Sequence, residues 1–549
     1  MKELTIDAWS FLDFKESMKR DQNLSPTWVD SHWRRLQAYK VLESYYKNIS
    51  REWLLDSSDA TQASKREYGD AHLIVEQFLA SLLGKKFYPQ IDGLASQHNK
   101  IHSGEEVDPG ELAMQDRIEQ WFKDEQLRQK IIEQERQSLK LGDGVWVMGW
   151  STSKNRPTAR VYDPGMFFPV WGEEQVDEDF PSKVHIAYEF EKEDSTGTVR
   201  TYVRRITYEL LPYEDDSKLE VPWRELPSDV SCFMSDGTWR VNEDTKKVDD
   251  FDESKAVWRV QNLDLGYDFI PVIHTPNTVA GQDFYGVSVL SMILQLFDDL
   301  INNDTDLQVA SGLTASPVLT VSGGASLPTD ANGQVVSYGP GTVYDVDEGG
   351  MNVLDMSRGL DALLKYSDYV LERLSINGRI PESLMGRVKP SEVPSGVALW
   401  LSFSSHTSFV EQMRLVRDDK YRLFLKFAQR MWQKEDPSLK VYDASLVFGS
   451  YLPADRSEAL TMVTQAMNAK HRPMSTPMAV SILKEAGFPI EDAAAEIEAI
   501  QQEDYEGAGA YLDATGDIAG VREMLGLPPL VDEPVVAQPP QDPDFDPLA

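Results

Sequence analysis

The sequence predicts an α+β fold, mainly α-helical, with a β-rich middle. Three observations lead there. Apolar residues recur at helical spacing through the first third and again from Phe284 onward. Between Val145 and about Pro276 the text changes to short runs of β-branched and aromatic residues broken by Gly, Pro and Asp clusters. Hydrophobic residues are 41% and aromatics 10% of 549 residues, enough for sizeable cores in three or four domain-sized units.

In chain order, Ser25-Pro26 is a cap followed by a first-turn proline, and TWVDSHWRRLQAYKVLESYYKN continues as an amphipathic helix. Asp70 opens AHLIVEQFLASLLG, which Gly84 closes. Asp108-Pro109 starts a long charged helix through about Lys140, with Leu112, Ile118, Trp121, Phe122, Ile131, Ile132 and Leu139 on its apolar face. The strand-like runs VWVMGW, ARVYDPGMFFPVW, KVHIAYEF, TVRTYVRRITYEL, GTWRV, AVWRVQNL and FIPVIHT then predict a mostly antiparallel β region. A helix from Phe284 to about Ala310 and a second from Arg358 to about Ile376 bracket a Gly-rich module, which places that module at the tip of a helical pair. The loop NGRIPESLMGRVKPSEVPSG leads into a helix of unusual length, Ser395 to about Lys434, with Lys420 as a gap in its stripe and a candidate bend. A short strand (LKVYDASLVFG) precedes three compact helices over 455–470, 476–486 and 490–503. The Pro- and Asp-rich end from about Asp532 predicts disorder.

Composition excludes several classes of function. The chain carries 54 Lys+Arg against 90 Asp+Glu, a net charge of −36, which argues against a nucleic-acid binder held by basic patches. A single cysteine, Cys232, leaves no internal disulfide and no cysteine zinc site, and it reads as inert. The opening MKELTIDAWSFLDFKE has no apolar run, so no secretory leader is expected. GVSVLSMILQLF is too short to cross a membrane. There is no phosphate-binding G-x-x-x-x-G-K-[ST] loop. His98 and His102 lack an H-E-x-x-H context and read as loop residues. No catalytic, cofactor or metal site is expected.

One electrostatic feature stands out. No lysine or arginine occurs between Arg259 and Arg358, a stretch that holds Asp298, Asp299, Asp304 and Asp306 among other acids. A generically acidic surface explains this as readily as a face that must not hold a polyanion.

Taken in order, the layout resembles the portal proteins of tailed bacteriophages. The residues that carry the likeness are YGDAHLIVEQFLASLLG, LGDGVWVMGW with RVYDPGMFFPVW, FYGVSVLSMILQLFDDLINNDTD, and GRIPESLMG with PSGVALWL before the long helix, covering roughly residues 25–505. It looks most like the portals of long-tailed phages that infect actinobacteria. The resemblance implies a homo-oligomeric ring, usually of twelve subunits, at one capsid vertex of the virion, assembled in the host cytoplasm. It implies a subunit built of wing, stem, clip and crown. On this chain the wing is 1–144 (helical), 145–283 (β-rich) and 397–454, the stem 284–311 and 358–378, the clip 312–357, the tunnel loop 379–396, the crown 455–505 and the tail 506–549.

Double-stranded DNA would pass without tight binding along a repulsive lining of Asp298, Asp299, Asp304 and Asp306. Arg387, Lys389, Pro390, Ser391 and Glu392 would form the tunnel loop, with the cations either touching phosphate or pairing with Glu382 or Glu392. The clip would dock partners through Val318, Leu319, Val321, Val343, Tyr344 and Val346. Its strand-like edges would pair between subunits, or close as a hairpin pair within one chain. The implied partners are the terminase large subunit, a head-completion adaptor, and the major capsid and scaffold proteins; no membrane and no enzymatic activity are implied. Another head–tail adaptor or minor capsid protein, or a hydrolase using an acidic pair, are the rival readings.

Overall fold

The computed structural model describes residues 26–48, 69–93, 108–170, 180–193, 197–212, 230–241, 251, 254, 256–278, 284–315, 319–322, 350–353, 357–387, 402–451, 456–469, 473–486, 488, 490 and 493–524. The fold is mixed α+β and divides into two compact units, residues 1–451 and 452–549.

The first unit opens with α1 (Pro26–Tyr46), α2 (Asp70–Leu83), the short β1 (Tyr88–Ile91), α3 (Pro109–Asp124) and α4 (Leu127–Leu141). Asp108 caps α3 as its sequence predicts, accepting from the Gly110 N–H at 2.9 Å, with Pro109 in the first turn. The single long helix expected through Lys140 is instead two. Gln126 takes a left-handed φ of 53°, and the preceding Glu125 is buried with its carboxylate on Lys130 at 2.7 Å. That buried pair holds the break, and the apolar spacing continues across it.

Strands β2 (Asp143–Ser151), β3 (Arg156–Tyr162), β4 (Phe167–Val170), β5 (Lys183–Glu193), β6 (Val199–Pro212), β7 (Val230–Arg240), β8 (Trp258–Asp264) and β9 (Val272–Pro276) follow. They form a three-stranded sheet ordered β3-β2-β9 and a five-stranded sheet ordered β4-β5-β6-β7-β8. Every pairing described in them is antiparallel. Cys232 lies fully buried on β7, and burial together with nearby Asp264 pushes its thiol up to about 12.

Next come α5 (Leu294–Ala315), β10 (Leu319–Ser322), β11 (Gly350–Val353), α6 (Ser357–Gly378), α7 (Ser404–Glu435) and β12 (Ala444–Val447), the last paired with β1. Helix α7 runs unbroken through Lys420 and packs on β3, β9, β12 and α2. Its aromatic residues knit the core: Trp121 of α3 stacks on Phe424 with centroids 5.4 Å apart, and Trp146 of β2 lies 4.9 Å from the same ring.

One buried position on α7 is polar. Arg417 and Glu135 of α4, both fully buried, pair at 2.9 Å. Tyr421 donates to the same carboxylate at 2.7 Å, and Arg417 also donates to Ser138 Oγ at 3.0 Å and Asn277 Oδ1 at 2.8 Å. The pair is therefore hydrogen-bonded on all sides, which is the condition for tolerating a buried charge.

The second unit contains α8 (Arg456–Asn468), α9 (Thr476–Glu485), α10 (Ala493–Thr515) and α11 (Ile518–Met524). The first two match the expected helices. The third does not stop near 503 but continues to Thr515, so the segment expected as tail from 506 contributes helix through Met524. The expected disorder from Asp532 lies outside the described residues, as do Ser25, His98, His102 and the predicted start of the long helix at Ser395.

Candidate functional site

Within the acidic, cation-free stretch, Leu294–Ala315 forms one half of a helical hairpin. Helices α5 and α6, each of 22 residues, run antiparallel. Ile293, just before α5, lies against Gly378 at the end of α6. Asn303 Nδ2 donates to the Leu363 carbonyl at 3.1 Å and also reaches Ser367 Oγ. At the far end the chain turns through β10 and β11, which pair antiparallel from Leu319↔Val353 to Ser322↔Gly350.

The helix expected from Phe284 begins ten residues later, at Leu294. The segment 284–289 is claimed by the end of α4. Gly286 N–H donates to Asp143 at 2.8 Å, Ser288 Oγ to the Lys140 carbonyl at 2.6 Å, and Val289 N–H to the Leu139 carbonyl at 3.1 Å. Backbone donors spent on another element cannot close helical turns. Asp143 is the centre of this joint. It is almost completely buried and also accepts from His274 Nε2 at 2.7 Å and from the Tyr39 hydroxyl. Gly142 and Gly286 approach so closely that a Cβ on Gly286 would sit 2.2 Å from the Gly142 carbonyl oxygen.

The four aspartates expected as a common lining do not share a face. Asp298 is half-buried and accepts from the Tyr45 hydroxyl at 2.8 Å. Asp304 turns toward α6, with its carboxyl 3.5 Å from Ser367 Oγ, and burial raises its pKa. Burial and then the Asp304 charge raise that of Asp70. Asp299 and Asp306, seven residues apart, lie on one side of α5, half-buried and exposed respectively. Neither makes an ion pair among the described residues.

The start of the loop after α6 is tied down. Ile380 is buried, its N–H donates to the Ser375 carbonyl at 3.0 Å, and Ser375 Oγ donates to the Ile380 carbonyl at 2.7 Å. His406 holds it from below. Its Nδ1 meets the Arg379 carbonyl at 3.0 Å, so that nitrogen carries the proton, and Nε2 accepts from Ser81 Oγ at 2.9 Å. Arg387 pairs with Asp368 of α6 at 2.7 Å, a partner the sequence did not suggest, and lies 3.8 Å from Glu382, one of the two it did. Lys389, Pro390, Ser391 and Glu392 lie outside the described residues.

At the tip, Leu319 and Val321 sit on β10, whose partner β11 comes from the same chain. The strand described opposite them is thus GMNV, and a two-stranded sheet is completed without a second subunit. Val318, Val343, Tyr344 and Val346 lie outside the described residues. Among the described residues no group of three His, Cys, Asp or Glu side chains is placed to hold a metal ion, and no helix is long and apolar enough to cross a membrane.

No family model matches the chain, and no curated protein matches it. Sequence reasoning missed Asp143, His406 and Arg417. The one signal was at Arg417, a polar residue on the apolar stripe of α7, which periodicity treats as an error; Asp143 stands between Gly142 and Gly144 and His406 in the polar run SSHTS, where local pattern says nothing.

Proposed function

We propose that this chain is the subunit of a portal-type ring at a phage capsid vertex, through which double-stranded DNA enters and leaves. The observation that carries the reading is the α5–α6 hairpin. Two antiparallel helices of 22 residues, each roughly 33 Å long at the α-helical rise, project from the wing-like body and end in a small two-stranded tip. That is the stem-and-clip arrangement that the resemblance implies. The β-rich region with α1–α4 and α7 serves as the wing, and the second unit as the crown.

Chemistry supports conduction over binding. From Arg259 to Arg358 the chain offers a duplex no cation, within a subunit of net charge −36, so counterion release has nothing to act on there. Among the described residues neither outer edge of the two tip strands is paired, and an open edge is a docking surface for a motor or adaptor. Gel filtration with negative-stain microscopy tests the reading. Rings of about twelve copies, the count the family implies, with a central hole near the ~20 Å width of a duplex, given that its major groove alone is ≈ 12 Å wide, are expected. A small globular particle rejects it.

A further inference from the structure

On the five-stranded sheet two arginines flank a glycine. Arg205 of β6 stands opposite Gly237 of β7, and Gly237 opposite Arg259 of β8, so the three form one row across the strands. Strands two apart lie roughly 9.5 Å from each other, and the residue between the arginines has no side chain. The next row on the same face reads His185, Thr207 and Ser235. A cavity of about 40 Å³ is lined by residues of both rows, Arg205, Gly237, Arg259, Thr207 and Ser235, together with Trp239.

The charge at this cavity runs against that of the chain. Asp236 also borders it, but its carboxylate is taken on the opposite face by Arg204, whose Nε and Nη2 donate at 3.0 and 2.6 Å. Among the described residues that line the cavity, the charged side chains on its own face are then the two arginines, in a chain of net charge −36. The Arg205 guanidinium lies over Phe251 at 4.4 Å and over Trp239 at 5.3 Å. Stacking occupies its flat faces and keeps its five N–H donors in the plane, directed outward from the edge. The Trp239 indole folds back over Gly237, where a Cβ would meet it at 2.3 Å.

The second row adds a hydroxyl donor. His185 is buried, its Nδ1 lies 2.8 Å from Thr207 Oγ1, and its Nε2 has no hydrogen-bond partner among the described residues. With the proton on Nδ1 the imidazole donates to Thr207, and the threonine keeps its own proton for the cavity. Burial, and then Arg205 and Lys183, hold His185 well below 6.5, so the positive field reaches it.

We infer that this cavity binds one phosphate ion, with Arg205 and Arg259 on its oxygens and the Thr207 hydroxyl on a further one. Size selects the class. A water takes up about 10–15 Å³ of such space, so the cavity has room for roughly three, which one tetrahedral oxyanion replaces and a nucleotide overfills. Charge selects it further, because two arginines match a dianion and the N–H fork of a guanidinium matches two oxygens of one phosphate. The site lies within one subunit and is independent of the ring reading.

Equilibrium dialysis of the full-length protein against labelled inorganic phosphate, in ~0.1 M chloride at neutral pH, tests it. One phosphate is expected per chain, with a Kd of about 1 mM or tighter from a few charge-assisted hydrogen bonds. Arg259 is exposed, so Arg259→Gln should leave the urea midpoint in chloride unchanged while weakening phosphate binding about tenfold or more. Arg205→Lys keeps the charge but loses the planar fork, and should weaken it about threefold or more. Sulfate should displace the phosphate; acetate and adenosine monophosphate at equal concentration should not. A parent protein that binds no phosphate overturns the inference, as does an Arg259→Gln protein that binds it like the parent. Acetate competing as well as sulfate overturns it in favour of a pocket for a partner's carboxylate. Adenosine monophosphate competing as well as phosphate overturns the free ion in favour of a larger phosphate ester, and displacement by a DNA duplex overturns it in favour of a nucleic-acid contact.

Discussion

At the scale of single residues, buried polar groups decide more than the apolar stripe suggests. Arg417 holds a position where periodicity calls for a hydrophobe, and its charge is tolerated only because Glu135, Ser138 and Asn277 surround it. Removing one partner leaves the other charged and dry. Arg417→Ala or Glu135→Ala should therefore cost about 3–5 kcal/mol in a urea unfolding series, and Arg417→Met with Glu135→Leu far less. The buried histidines make a second test. Burial holds His185, His274 and His406 below the ordinary 6.5. Below pH 6.5 the unfolded chain takes up protons that the folded chain refuses, so stability is complete above that pH and falls as acid is added. Each histidine contributes a slope of up to ~1.4 kcal/mol per pH unit. Replacing His185 by Gln should reduce the slope by about that amount between pH 6.5 and 5.5, measured by denaturant unfolding. Comparison of variant with parent removes the opposing contribution of Asp70, Asp163 and Asp304, whose carboxyls burial raises.

At the scale of elements, the joint between β2 and the segment before α5 sets where the hairpin leaves the body. Gly142 has φ 97°, and each glycine's missing Cβ makes room for the other's carbonyl. Gly286→Ala should cost roughly 1–3 kcal/mol by overpacking, and limited proteolysis of the variant should cut first near 284–293. Elements of this kind show how far the sequence reaches. The helices α2, α5 and α6 were legible because their apolar residues keep one period, and so were the alternating strands β5 to β7. The break at Gln126 and the late start of α5 were not. Both draw on bonds to residues distant in sequence, Glu125 with Arg156 and Ser288 with Lys140 among them, and local pattern carries no trace of those. The acid-rich side of α5 was legible as composition. Which carboxylates Tyr45 and Ser367 would take was not, because α1 and α6 approach α5 only in three dimensions.

At the scale of the whole molecule, charge makes a prediction that no single residue makes. A chain with 54 cations and 90 acids already pairs many of its arginines internally. Arg136 sits on Glu76 at 2.7 Å, Arg204 on Asp236 at 2.6 Å, Arg387 on Asp368 at 2.7 Å and Arg430 on Asp268 at 2.7 Å. Cations held by their own carboxylates displace few counterions from DNA, and non-specific affinity comes almost wholly from that displacement. The protein should therefore leave the fluorescence anisotropy of a labelled duplex unchanged at ~50 mM salt, a condition that favours phosphate contacts. Lowering the salt should not rescue binding. A steep, salt-sensitive rise in anisotropy would mean that a cationic surface faces the DNA after all, and the proposed sliding channel would give way to one that grips its cargo.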